Sequence, residues 1–371
     1  MLYRVQKRTA SLIAVLVLLV ASVQAQQTQG LPADKLEKIE KSITAQMSKL
    51  GIPGLSIAVV IDHKLRWSNG YGLADVENFI PAKAMTAYRL GSISKPITAA
   101  AVMQLVERGK IDLDAPIQKY CPAFPAKQWP VTARALLGHV AGVRHYKSDA
   151  EYGSTRHYKS VVEGLEMFKD DPLLFEPGTK YSYTTHGYAV LGCAVEGASG
   201  MSFQDYVREN VFKPAGMERI RVDNVTDIIP NRAQGYQKTQ SGELQNSELA
   251  DTSYKIPGGG FISTVGDLAR FAIAMENGTL LKKETLAQMW TEQKTRDGKG
   301  THYGLGWGVS ERMGLKEVHH GGAQQRVSTM LYTIPEKGLA VVVMTNLEGI
   351  GGGLATLTRE IAHILLRDRE Q

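Results

Sequence analysis

Two apolar, β-rich segments, one towards each end of the 371-residue chain, constrain its fold more than any other feature. Residues 54–72, GLSIAVVIDHKLRWSNGYG, read as a strand, a polar turn at Asp62-His63-Lys64 and a second strand. Residues 328–346, STMLYTIPEKGLAVVVMTN, repeat the pattern around a Pro335-Glu336-Lys337-Gly338 turn and end in a strong Val-rich strand. Helical periodicity flanks both. Asp34 to Leu50 places Leu36, Ile39, Ile43 and Met47 on one face, and about Leu354 to Arg369 carries Ile361, Ile364 and Leu365 as a stripe. Between them, roughly residues 100–250, lie helical patches joined by Pro- and Gly-bearing loops. The economical arrangement is an α+β fold: one antiparallel sheet built from both chain ends, covered by the terminal helices, with a mostly helical insert.

The first 25 residues stand apart. Arg4, Lys7 and Arg8 precede an apolar run from Leu12 to Val20, and Val23-Gln24-Ala25 offers a small-x-small cleavage site. This predicts a secretory signal peptide, with residues 26–371 as the mature domain, no stable membrane span after cleavage, and a bacterial periplasmic address. Losing those three basic residues takes the formal charge from +6 to +3, and no basic block remains, which argues against a nucleic-acid partner. Cys121 and Cys193 are the only cysteines; one disulfide and two separate thiols are equally consistent with export.

The chemistry concentrates in four segments. Neither G-x-S-x-G nor H-E-x-x-H occurs, and no His-x-His-x-Asp arrangement suggests a metal, so no cofactor is expected. Ser92 and Lys95 form S-x-x-K where a helix begins; at that spacing they share one side of the first turn, and the helix N-terminus favours negative charge developing on Ser92. EPGTKYSYTTHGYAVLG places Tyr183 in a loop-to-helix segment, two residues after Tyr181. DTSYKIPGGGFISTVGDLARF supplies a Gly-rich turn and a helix capped by Ser263 or Thr264. VHHGGAQQRVSTMLYTI sets His319, His320 and Gly321 directly before a strand.

Together with GVRHY at residues 142–146, these segments resemble the serine β-lactamase and penicillin-binding-protein superfamily. The likeness lies on the class C and D,D-peptidase side and is closest to mitochondrial β-lactamase-like serine hydrolases and their bacterial relatives. It runs through essentially the whole mature chain. Ser92 and Lys95 match S-x-x-K, Tyr183-Thr184-Thr185 matches Tyr-x-Asn, and His319-His320-Gly321 matches Lys-Thr-Gly.

The resemblance implies that Ser92 forms an acyl-enzyme on an amide, ester or β-lactam of a small-molecule or peptide substrate. Lys95 and Tyr183 share the base work, His319 supports the site, and backbone amides of Ser92 and Gly322 hold the oxyanion. It also implies substrate contacts at Thr185, His320 and Gly321. Thr185 in place of Asn and His320 in place of a hydroxyl residue weaken the case for antibiotic hydrolysis. They leave open an alternative: a weakly catalytic, penicillin-binding-like or self-assembling protein.

Overall fold

The computed structural model describes residues 30–367. The leader lies outside these residues. A seven-stranded antiparallel sheet forms from β1 (Gly54–Ile61), β2 (Lys64–Asp75), β3 (Ile80–Pro81), β4 (Gly308–Arg312), β5 (Leu315–Gln324), β6 (Val327–Ile334) and β7 (Leu339–Thr345). Their order across the sheet is β3-β2-β1-β7-β6-β5-β4, so the two ends of the chain meet where β1 pairs with β7. The β1–β2 turn has φ of 53° at Asp62 and 55° at His63, the left-handed pair that matches strand twist in a two-residue hairpin.

Alternation along the central strands divides the core into two layers. Leu55, Ile57 and Val59 of β1, with Val341 and Val343 of β7, face Ile39 and Ile43 of α1 (Ala33–Leu50) and Leu354, Leu357 and Ile361 of α5 (Gly351–Leu366). Ala58, Val60, Val342 and Met344 face the helical side. Each such buried side chain contributes about 1.5–3 kcal/mol of transfer free energy, so slipping either hairpin by one residue would be prohibitive.

The helical layer runs beyond the expected limit near residue 250, through α4 (Val265–Glu276) and on to Met289. Its centre is α2 (Ser94–Glu107), buried continuously from Ser94 to Leu105 and mostly apolar on every face, as an internal helix is, with Lys95, Thr98 and Gln104 among its buried polar groups. Beside it lies α3 (His186–Ser199), and Cys193 on this helix is disulfide-bonded to Cys121. Thr264, rather than Ser263, caps α4 by accepting the Asp267 N–H. The segments carrying Ser92, Tyr183 and the turn at Ile256–Gly259 are thereby brought against β5.

Candidate active site

Ser92 sits in the 3₁₀ turn Gly91–Ile93 that leads into α2. Gly91 has φ of 53°, and a Cβ there would lie 2.9 Å from the Ala323 nitrogen, so the turn can approach β5 only because it has no side chain. One helical turn on, the Lys95 Nζ is 2.9 Å from Ser92 Oγ, 3.1 Å from Thr185 Oγ1 and 2.9 Å from the Gly258 carbonyl oxygen. Gly258 permits this closeness, since a Cβ would strike the Thr185 methyl at 2.7 Å. All three partners are neutral and no carboxylate pairs with Lys95 among the described residues. Burial, reinforced by the charge of Lys255, therefore holds its pKa well below the usual 10.5.

Tyr183 faces the same cleft beside Ser92, with its ring centroid 4.7 Å from Lys95 Nζ. Burial pushes its pKa up, so the phenol stays protonated. Tyr181 is exposed. Two histidines fix the Tyr183 loop. His139, buried with φ of 59°, accepts the Thr184 N–H at 3.2 Å through Nδ1 and the Ser182 N–H at 2.9 Å through its carbonyl, bracketing Tyr183 from both sides. His145 accepts the Thr185 N–H through Nδ1 at 3.2 Å. Both need a bare Nδ1. Burial and nearby cations lower both pKa values accordingly, that of His145 to about 4.

The histidine pair requires a correction. His319 lies opposite Tyr332, which belongs to the layer under α5, whereas His320 lies opposite Leu331 on the helical side. His319 accordingly shares its surroundings with Arg359 and Glu317, away from Ser92. His320 is the one near the site, 2.8 Å from the Tyr303 hydroxyl through Nε2 and 2.7 Å from the Gly321 carbonyl through Nδ1, with burial taking its pKa to about 3. Those partners make Nδ1 the protonated nitrogen, leaving Nε2 to accept from Tyr303. The same one-residue shift bears on the oxyanion donor. Gly321, Gly322 and Ala323 all line the cleft, and it is the Ala323 nitrogen that a Cβ on Gly91 would meet, at 2.9 Å, which puts that amide beside the turn carrying Ser92.

The cleft has a volume of about 360 Å³ and also receives Thr185, Tyr146, Tyr152, Lys255 and Gln324. Glu176 is outside it, paired with Arg296, and Trp307 is buried against Phe271. Sequence reasoning missed His139, His145, Tyr303, Lys255 and Ala323. His145, Lys255 and Ala323 stood within segments singled out above, and Tyr303 opens YGLGWGV, the Gly-rich segment around Trp307, whereas His139 carries no local signal. Among the described residues no cluster of metal-ligating side chains occurs, and no helix is long and apolar enough to cross a membrane.

A Ser-x-x-Lys turn held between a helical layer and the β5 segment beyond β4 is the arrangement of the serine β-lactamase and penicillin-binding-protein superfamily. The chain belongs to the beta-lactamase family, whose model matches residues 39–366. It is 31% identical to the human mitochondrial serine beta-lactamase-like protein LACTB, over 82% of this chain and 75% of that protein. It is 28% identical to penicillin-binding protein 4* of Bacillus subtilis, over 76% of this chain and 65% of that one. The octameric penicillin-binding protein homologue from Pyrococcus abyssi superposes with a TM-score of 0.77 at 28% identity, covering 89% of this chain and 77% of the other.

Proposed function

We propose that the mature chain, exported on its amino-terminal leader to a bacterial periplasm, is a serine hydrolase that cleaves an amide, ester or β-lactam through an acyl-enzyme on Ser92. The observation that carries the proposal is the Lys95 amine, buried without a carboxylate partner among the described residues and 2.9 Å from Ser92 Oγ. A neutral amine has two N–H bonds and one lone pair. With Thr185 Oγ1 and the Gly258 carbonyl accepting the two N–H bonds, the lone pair is left for the Ser92 hydroxyl proton.

As Ser92 Oγ bonds to the substrate carbonyl carbon, its proton passes to Lys95. The carbonyl oxygen gains negative charge opposite the Ser92 and Ala323 N–H groups. Tyr183, protonated and lining the cleft beside Ser92, donates to the departing group as the carbonyl re-forms, and Lys95 returns the proton to Tyr183. Water then repeats the sequence in reverse to release the acid. Membership of a family that includes penicillin-binding proteins supports this reaction class, and the octameric homologue supports self-association as a further property of the chain.

The test is ester hydrolysis by the mature protein as a function of pH, with Ser92→Ala as control. Activity should vanish in Ser92→Ala. In the wild type, kcat/KM should fall as pH drops through the lowered Lys95 pKa, because protonation removes the lone pair. His145 and His320, at about 4 and about 3, are neutral above about pH 5, whereas Lys255, at about 7, gains its proton as the pH falls and disfavours charge on Lys95 further. A rate with no acid limb across the whole pH range in which the protein stays folded, or one that survives in Ser92→Ala, would refute the proposal.

A further inference from the structure

Lys255 transfers no proton in the chemistry described above and acts there only through its charge, yet it lines the same cleft as Ser92. Only 2% of it is exposed, and its Nζ lies among three tyrosine rings, 4.8 Å from the centroid of Tyr152, 5.1 Å from Tyr254 and 5.4 Å from Tyr146. Among the described residues no carboxylate pairs with it. The acids in that quarter are already engaged: Asp223 by Arg89 and Arg232, Asp251 by His157, Glu151 by Arg144, and Glu348 by the Arg326 N–H. The other charged groups acting on it and its neighbours are cations, Arg89 and Lys95, and no Asp or Glu lines the cleft among the described residues. A buried lysine without a counter-ion is held close to neutrality, with a pKa of about 7. Tyrosine faces stabilise an ammonium only in part, so an arriving carboxylate would supply what the site lacks.

The position of Lys255 indicates which part of a substrate it meets. Gly259 has both the Lys255 stem and the Gln324 amide as neighbours, which places Lys255 at the Gln324 end of β5. His320, further back along β5, lies with Tyr303 beside Tyr183. The leaving group departs towards the proton donor, Tyr183, so the acyl portion extends towards Gln324 and Lys255.

We propose that Lys255 is a specificity-determining residue that selects substrates whose acyl group carries a carboxylate. The inference rests on the Ser92 acyl-enzyme reading, and its readout is a ratio that absolute rates do not affect.

The experiment compares kcat/KM near pH 7 for mono-4-nitrophenyl adipate and 4-nitrophenyl hexanoate, corrected for spontaneous hydrolysis, in wild type, Lys255→Met and Lys255→Arg. The wild type should prefer the adipate by about tenfold or more, in line with a charge-assisted contact. Lys255→Met should lose that preference and Lys255→Arg should keep most of it, since Arg retains the charge. With 3-carboxyphenyl hexanoate, whose carboxylate is on the leaving group, Lys255→Met should not change the ratio to phenyl hexanoate. A wild type that hydrolyses the esters without preference, a preference that Lys255→Met retains, or an effect confined to the leaving-group carboxylate overturns this inference alone. A wild type inert towards every ester overturns the acyl-enzyme reading and this inference with it.

Discussion

Replacing Lys95 with methionine should lower the rate of Ser92 acylation by roughly 10²–10⁴, the usual contribution of a positioned base. Methionine fills nearly the same buried volume beside Thr185 and Gly258 but offers no lone pair for the Ser92 proton. The pH profile separates this role from mere packing, because the acid limb assigned to Lys95 should disappear with the side chain. Lys95→Arg should be no better than methionine. A guanidinium stays protonated at every accessible pH and would put a permanent charge where burial disfavours one. Stopped-flow acylation with a chromogenic ester measures both variants. A Lys95→Arg enzyme within tenfold of wild type would contradict the assignment.

The second large effect is expected in stability, at Asp223. This carboxylate is buried with its Oδ2 2.5 Å from Arg89 Nε and its Oδ1 3.2 Å from Arg232. Arg89 also donates to the Ala250 carbonyl at 2.9 Å. Arg326 packs nearby, and burial together with the Arg89 charge lowers its pKa. Asp223→Ala removes the only carboxylate shown pairing with Arg89. Breaking one partner out of a buried pair typically costs about 3–5 kcal/mol, because the other charge stays desolvated. Urea or thermal denaturation should show a loss of that size, with Asp223→Asn intermediate since its amide oxygen still accepts from an arginine. A loss below about 1 kcal/mol for Asp223→Ala would mean that the arginines find other partners.

How much of this was legible in the sequence depended on whether the deciding contact was local. The hairpins were legible because alternation and turn residues lie within one short segment: Asp62-His63 and the Pro335–Gly338 turn sit where the punctuation placed them. The antiparallel sheet built from both chain ends followed from those two segments. Tyr183 could be separated from Tyr181 only by resemblance, and the two differ in the structure as cleft-lining and exposed.

The histidine pair shows the limit. Adjacent strand residues face opposite ways, so one of His319 and His320 had to point elsewhere, but which one depends on their being opposite Tyr332 and Leu331. That register is tertiary information. His139 carries no motif at all; its role comes from the fold bringing Ser182 and Thr184 to its carbonyl and Nδ1. The Cys121–Cys193 pairing was equally illegible, since the two cysteines are 72 residues apart in sequence. Lys255 stood in plain view beside a Gly-rich turn, yet the missing counter-ion that marks it emerges only when every neighbouring acid has been assigned a partner.

The central claim, that Ser92 is the nucleophile, is tested most directly by the intact mass of the mature protein after brief exposure to a fluorophosphonate and, separately, to benzylpenicillin. The wild type should gain one fluorophosphonate adduct per chain, and folded Ser92→Ala should gain none. A penicilloyl adduct on the wild type would add β-lactams to the groups the cleft accepts. An adduct that persists in Ser92→Ala, or a folded wild type that takes up no fluorophosphonate, would contradict the account.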